Sequence, residues 1–276
     1  MERWRGRWWW RWRFWRIWRR RRIRRWRRRF KLVDFGVPAK PDAESALSDL
    51  VKQLERVWER GLSAVLLYGS GAGGEHIAGR SDYNVLVLVD AVPLDKLRAA
   101  EAALRGWKSA GHAPPQIMTV EEWRSGADAF PMEYADILAR HRVLTGDPPF
   151  AGIAVRAADL RLQLEHQARA TLQRLRRRLL SVPQETHRDV LADSVSPVMI
   201  VFRASERLHG ATPPPENDAL ARAVAARVGF DPQPFLSAVH HVRSAPRLSA
   251  RDATEVLSGY LAGLERLVTY LDAYET

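Results

Sequence analysis

The chain has 276 residues, is 46% hydrophobic and contains no cysteine. That is ample for one large or two modest domains, and it excludes disulfides, thiolate metal sites and cysteine nucleophiles. The net charge of +12 misleads as a whole, because residues 1–31 carry fifteen Arg, Lys31 and the single acid Glu2, leaving the remaining 245 residues at −3. The portion able to fold is slightly acidic and promises no general affinity for nucleic acid.

Eight of the eleven Trp lie before Phe30, interleaved with that Arg. No stretch there is free of Arg for long enough to form the apolar core of a secretory signal. Each Arg buried at a bilayer centre costs about 2.5–3.5 kcal/mol, so the segment does not span a membrane. It is almost without Ser, unlike a transit peptide. Residues 1–36 therefore read as a disordered low-complexity leader with no role of its own. Its chemistry permits adventitious contact with anionic lipid or single-stranded nucleic acid. With no signal, no transmembrane segment and no cysteine, the expected compartment is the cytoplasm.

Pro38 and Pro41 mark a linker, after which Asp42 or Ser45 caps a helix. Its apolar positions are Leu47, Leu50, Val51, Leu54 and Val57, and it stops at Gly61. Ala64 to Tyr68 is a short apolar run that ends at Gly69-Ser70 and reads as a buried strand; a glycine-rich turn region follows over 71–79. Val85 to Val89 forms a second strand, closed by Asp90 and Pro93. Residues 94–110 read as a helix, 116–120 as a third strand and 120–140 as a broken helical stretch. Arg142, Val143 and Leu144 then lead to a turn at Gly146-Asp147-Pro148. After Arg156 the pattern is helical throughout, over 160–180, 187–208, 218–228, 234–242 and 253–274. The expected fold class is α+β, a small mixed-sheet domain over 42–150 followed by a helical bundle over 155–276.

The informative segment is Leu66-Leu-Tyr-Gly-Ser70 followed by Ser81-Asp-Tyr-Asn84 and the apolar run to Val89. A strand ending in Gly-Ser, about ten intervening residues and Ser-Asp-x-Asp opening a second strand resembles the nucleotidyltransferase superfamily of polymerase-beta type. The resemblance extends to the aminoglycoside-nucleotidyltransferase-like domains. It implies that Gly69, Ser70 and Ser81 meet the phosphates of an NTP and that Asp82 and position 84 hold Mg²⁺; Arg80, on the intervening loop, can also reach phosphate. The physical logic is that glycine lets the backbone approach phosphate, while side chains at i and i+2 on a strand share a face and converge on one ion.

The chain departs from the pattern at Asn84, where a second acid is expected, and at the strand 116–119, which has no third acid and begins with Gln116. By the same resemblance Glu133, one turn before Asp136, is the expected base for an acceptor hydroxyl, with Asp82 the essential acid. The implied activity is transfer of an NMP group from an NTP to a hydroxyl-bearing acceptor held by the helical domain. The alternative is an inactive binding or regulatory protein of the same fold, in one version an antitoxin-like partner of a ribonuclease. Arg203 and His209 loosely match a ribonuclease Arg–His pattern, while His240 and His241 read as structural.

Overall fold

The two apolar runs read as strands lie side by side at the centre of a four-stranded sheet. This is a computed structural model, and it describes residues 43–72, 83–243 and 247–275. Strand β1 is Leu62–Tyr68, β2 Asn84–Val89, β3 Gln116–Thr119 and β4 His141–Gly146, in the order β3-β2-β1-β4. β1 runs antiparallel to β2 and β4, and β2 runs parallel to β3, so the sheet is mixed.

Both central strands are apolar on both faces because both faces are covered. Val65, Leu67, Val85, Val87 and Val89 point to one side. There they meet Leu47, Leu50, Leu54 and Trp58 of helix α1 (Ala43–Trp58). Ala100 and Leu104, from helix α2 (Leu94–Ala103) and its end, complete this layer with Trp107 of α3 (Arg105–Ser109). Ala64, Leu66, Leu86 and Leu88 point to the other side, onto Trp123 of α4 (Val120–Ser125) and Tyr134 and Ile137 of α5 (Pro131–Ala139). The helix expected over 94–110 is thus two helices, broken at Leu104, whose ψ of 7° leaves the helical range. Gly106 follows at once and weakens any continuation.

β4 is held at the sheet edge by a glycine. Gly146 lies opposite Ala64 with φ +78°, and a Cβ there would fall 2.0 Å from the Ser63 carbonyl oxygen. No larger residue fits that close approach.

Beyond the sheet the chain is helical, as the periodicity predicts. α6 (Ala157–Leu180), α7 (His187–Leu208), α8 (Asn217–Val228), α9 (Gln233–Arg243) and α10 (Ala250–Asp272) share one core. Phe202, Phe235 and Tyr260 are fully buried within it. Met132 of α5 also belongs to this core, which ties the sheet layer to the bundle. The described residues from 43 onward form one compact unit, and the 1–36 leader lies outside the described residues. Among the described residues no helix is long and apolar enough to cross a membrane.

Two buried polar groups set stability tests in the bundle. The Glu206 side chain is 4% exposed and accepts from Arg227 at 3.2 and 3.3 Å, while the Arg227 side chain remains 35% exposed. Removing the arginine strands a buried charge, whereas removing the carboxylate lets the arginine turn to water. Arg227→Ala therefore lowers unfolding free energy by about 3 kcal/mol, near the lower end for such pairs because of that exposure. Glu206→Gln costs clearly less in the same denaturant titration.

His241 is buried, and its Nδ1 accepts from the Leu248 amide at 3.1 Å. Burial, reinforced by the charge of Arg247, holds its pKa below the usual histidine range. The unfolded chain binds this proton near pH ~6.5, so stability is complete above that pH and falls as pH drops below it toward the depressed folded value. His241→Asn keeps an acceptor but cannot titrate. Its stability between about pH 6.5 and 5 is expected to fall less steeply than that of the unaltered chain.

Candidate functional site

The apolar run of β1 ends where Gly69 turns the chain through a 3-10 turn, with the Ala72 amide donating to the Gly69 carbonyl at 3.1 Å. Gly69 has φ +72°, and a Cβ there would sit 3.0 Å from the Asn84 amide nitrogen and 4.0 Å from Asp136 Oδ2. The space beside this glycine is thus bounded by one amide from the start of β2 and one carboxylate from α5. Tyr68 pairs with Asn84 on one side and with His141 on the other. Its hydroxyl donates to Gln116 Oε1, at the start of β3, at 3.4 Å. Residues 69, 84 and 116 therefore gather at one end of the sheet. Arg80, Ser81 and Asp82 lie outside the described residues, and of Ser70 the backbone alone is described.

The α5 carboxylates take different places. Glu133 Oε2 accepts from Gln163 Nε2 of α6 at 2.9 Å, and Gln163 Oε1 accepts from the Met132 amide at 2.7 Å, so Glu133 stands in the α5–α6 contact. Asp136, one turn on, is the carboxylate beside Gly69. Its other oxygen, Oδ1, accepts from Arg207 of α7 at 2.6 Å, a pair whose side chains are 26% and 13% exposed. Arg207 Nε is buried and has no hydrogen-bond partner.

Arg207 also lines a recess of about 80 Å³ with Arg140, Arg203, Ala139, Thr212 and Pro213. Arg203 donates to Asn217 Oδ1 at 2.9 Å. Among the described residues this recess thus gathers three guanidinium groups, one of them paired with Asp136.

The Arg203–His209 pattern does not assemble as a catalytic pair, because both His209 nitrogens are engaged. Nδ1 meets the Ser205 carbonyl at 2.7 Å and Nε2 the Tyr270 hydroxyl at 2.8 Å. His240 Nε2 meets Asp218 at 2.6 Å.

Mg²⁺ is the ion that the motif implies. Among the described residues no group of three His, Cys, Asp or Glu side chains stands close enough to hold a metal. Asn84 and Gln116 offer neutral amides, and Asp136 is committed to Arg207. A small hard dication favours anionic oxygen, and these described groups offer it one carboxylate, already paired.

No protein-family model matches the chain, and no curated protein matches it. Among solved structures it is similar to spectinomycin adenyltransferase AAD(9) from Enterococcus faecialis, a structure determined with ATP and spectinomycin. The TM-score is 0.56 at 13% identity, over 81% of this chain and 98% of that one. The likeness establishes a shared nucleotidyltransferase fold.

Gly69→Ala forces a positive φ on an L-residue and also crowds Asn84. Gly152→Ala has the same backbone fault (φ +80°) with nothing within 4 Å. Each loses about 1–2 kcal/mol from the backbone alone. Thermal unfolding is expected to show a further loss in Gly69→Ala, which isolates how closely the amide is packed against the turn.

Proposed function

We propose that the chain binds a nucleoside triphosphate at the Gly69 turn and transfers its NMP group to a hydroxyl-bearing acceptor. The observation that supports this most directly is the Gly69 turn itself, a strand end with positive φ where the Asn84 amide and the Asp136 carboxylate come together. The fold shared with an enzyme solved with ATP and spectinomycin supports the same reading.

In this reading the backbone amides after Gly69, with Ser70, Ser81 and Arg80, bind phosphate oxygens. Asn84 donates an amide proton to the same group. The acceptor enters from the side of the bundle, and its hydroxyl loses a proton to Asp136 Oδ2, the carboxylate oxygen turned toward Gly69. Glu133, tied to Gln163, fixes the start of α5 and so sets the position of Asp136 one turn later. Asp82 is the remaining carboxylate of the motif and is proposed to act on the same phosphates. Were Mg²⁺ to bind, Asp82 and Asn84 would be its ligands, and no step of this mechanism runs through it.

A second reading, nucleotide binding without turnover, is favoured by the two amides at 84 and 116 where the resemblance implies acids. The measurement that separates the two is pyrophosphate release by the full chain with ATP and hydroxyl acceptors, spectinomycin among them. Loss of a positioned base costs about 10²–10⁴-fold, so Asp136→Asn is expected to slow release by at least about 100-fold. Unaltered release in Asp136→Asn removes the base assignment. No release from a chain that ATP nonetheless stabilises establishes the second reading.

A further inference from the structure

We propose that Arg207 supplies the positive charge that meets the ligand phosphates, so that nucleotide binds this chain without a divalent metal. The inference rests on the reading that a nucleotide phosphate lies at the Gly69 turn.

Three observations converge on it. The first is the chemistry of the sheet end, where Asn84 and Gln116 are amides and the motif keeps a single acid, Asp82, for a dication. Next comes the position of the guanidinium. Asp136 touches Arg207 with Oδ1 and faces Gly69 with Oδ2, so the arginine stands one carboxylate away from the turn. Finally, the Arg207 side chain is 13% exposed, and its Nε, though buried, has no hydrogen-bond partner among the described residues.

A guanidinium held in place by packing offers planar, bidentate donors and a permanent charge to phosphate. Arg207 comes from α7 and Asp136 from α5, so a residue of the bundle reaches the sheet end and brings the cation there. Asp136 then has two effects. It stabilises the guanidinium in its part-buried place, and it competes with an incoming phosphate for the same donors.

This competition gives a test that a purely structural ion pair fails. Thermal unfolding of the full chain is followed by far-ultraviolet circular dichroism at increasing ATP, in EDTA and in Mg²⁺. The shift reads ligand bound to the folded state, so contact of ATP with the arginine-rich leader does not contribute. The apparent Kd in EDTA is expected to lie within about threefold of that in Mg²⁺. Arg207→Gln weakens binding in EDTA by about 10- to 100-fold, the range for a charged hydrogen bond, and Arg207→Lys recovers part of it. Asp136→Asn, which frees the guanidinium, tightens binding in EDTA by about threefold or more.

An ATP shift that needs Mg²⁺ overturns this inference and leaves the nucleotide site standing. Unchanged EDTA binding in Arg207→Gln, or binding in Asp136→Asn weakened as much as in Arg207→Gln, also overturns it. Absence of any ATP shift in the folded chain, with or without metal, overturns the nucleotide reading and this inference together. Should Arg207→Gln fail to fold, Arg207→Lys and Asp136→Asn decide the matter.

Discussion

Helix α5 is fastened on two sides at once, and the geometry of the site depends on that. Pro131 opens the helix, and Met132 enters the core of the bundle. Tyr134 and Ile137 lie beneath the sheet, where the Tyr134 ring stacks on Trp123 at 4.1 Å. The Tyr134 hydroxyl donates to the Trp123 carbonyl at 2.7 Å, and burial raises its pKa well above the ordinary tyrosine range. Glu133 and Asp136 then reach outward to Gln163 and Arg207 on different bundle helices. Nine residues thus join two cores and carry a carboxylate beside the Gly69 turn. A short helix has little rigidity of its own, so its placement is imposed by these contacts.

Much of the fold is legible in the sequence because the relevant forces are local or periodic. Ala64 to Leu67 and Val85 to Val89 announce strands covered on both faces, and the bundle helices follow from apolar spacing. β4 is less legible. His141, Arg142, Val143 and Leu144 are at most half-buried at a sheet edge, so neither strict alternation nor a closed apolar run marks them. The break at Leu104 is also concealed, since Ala102, Ala103 and Leu104 itself favour helix and Gly106 alone speaks against continuation.

The site divides along the same line. Gly69 and Asn84 can be placed from motif spacing, since the spacing states which strand ends meet. The Asp136–Arg207 pair spans 71 positions and has no local signature. Nor does sequence distinguish Glu133 from Asp136, two acids one turn apart on a short helix. Only the packing of Met132, Tyr134 and Ile137 fixes the rotation that turns Asp136 toward the glycine and Glu133 toward Gln163. The fold is shared with an adenyltransferase at 13% identity. Such a likeness speaks for architecture, and the chemistry must be argued from the groups at the sheet end.

The two glycines at opposite ends of β1 bear on how kinship with this chain would be recognised. Gly146 is required because a Ser63 carbonyl occupies the space of its side chain, and Gly69 because the strand end must turn with positive φ. Neither demand depends on what the site does. An acid can be exchanged for an amide when the chemistry drifts, but a descendant that keeps this edge strand keeps its glycine. Ancestry in such a lineage is written in the backbone's steric demands, and it outlasts the signature that a search for catalytic acids would follow.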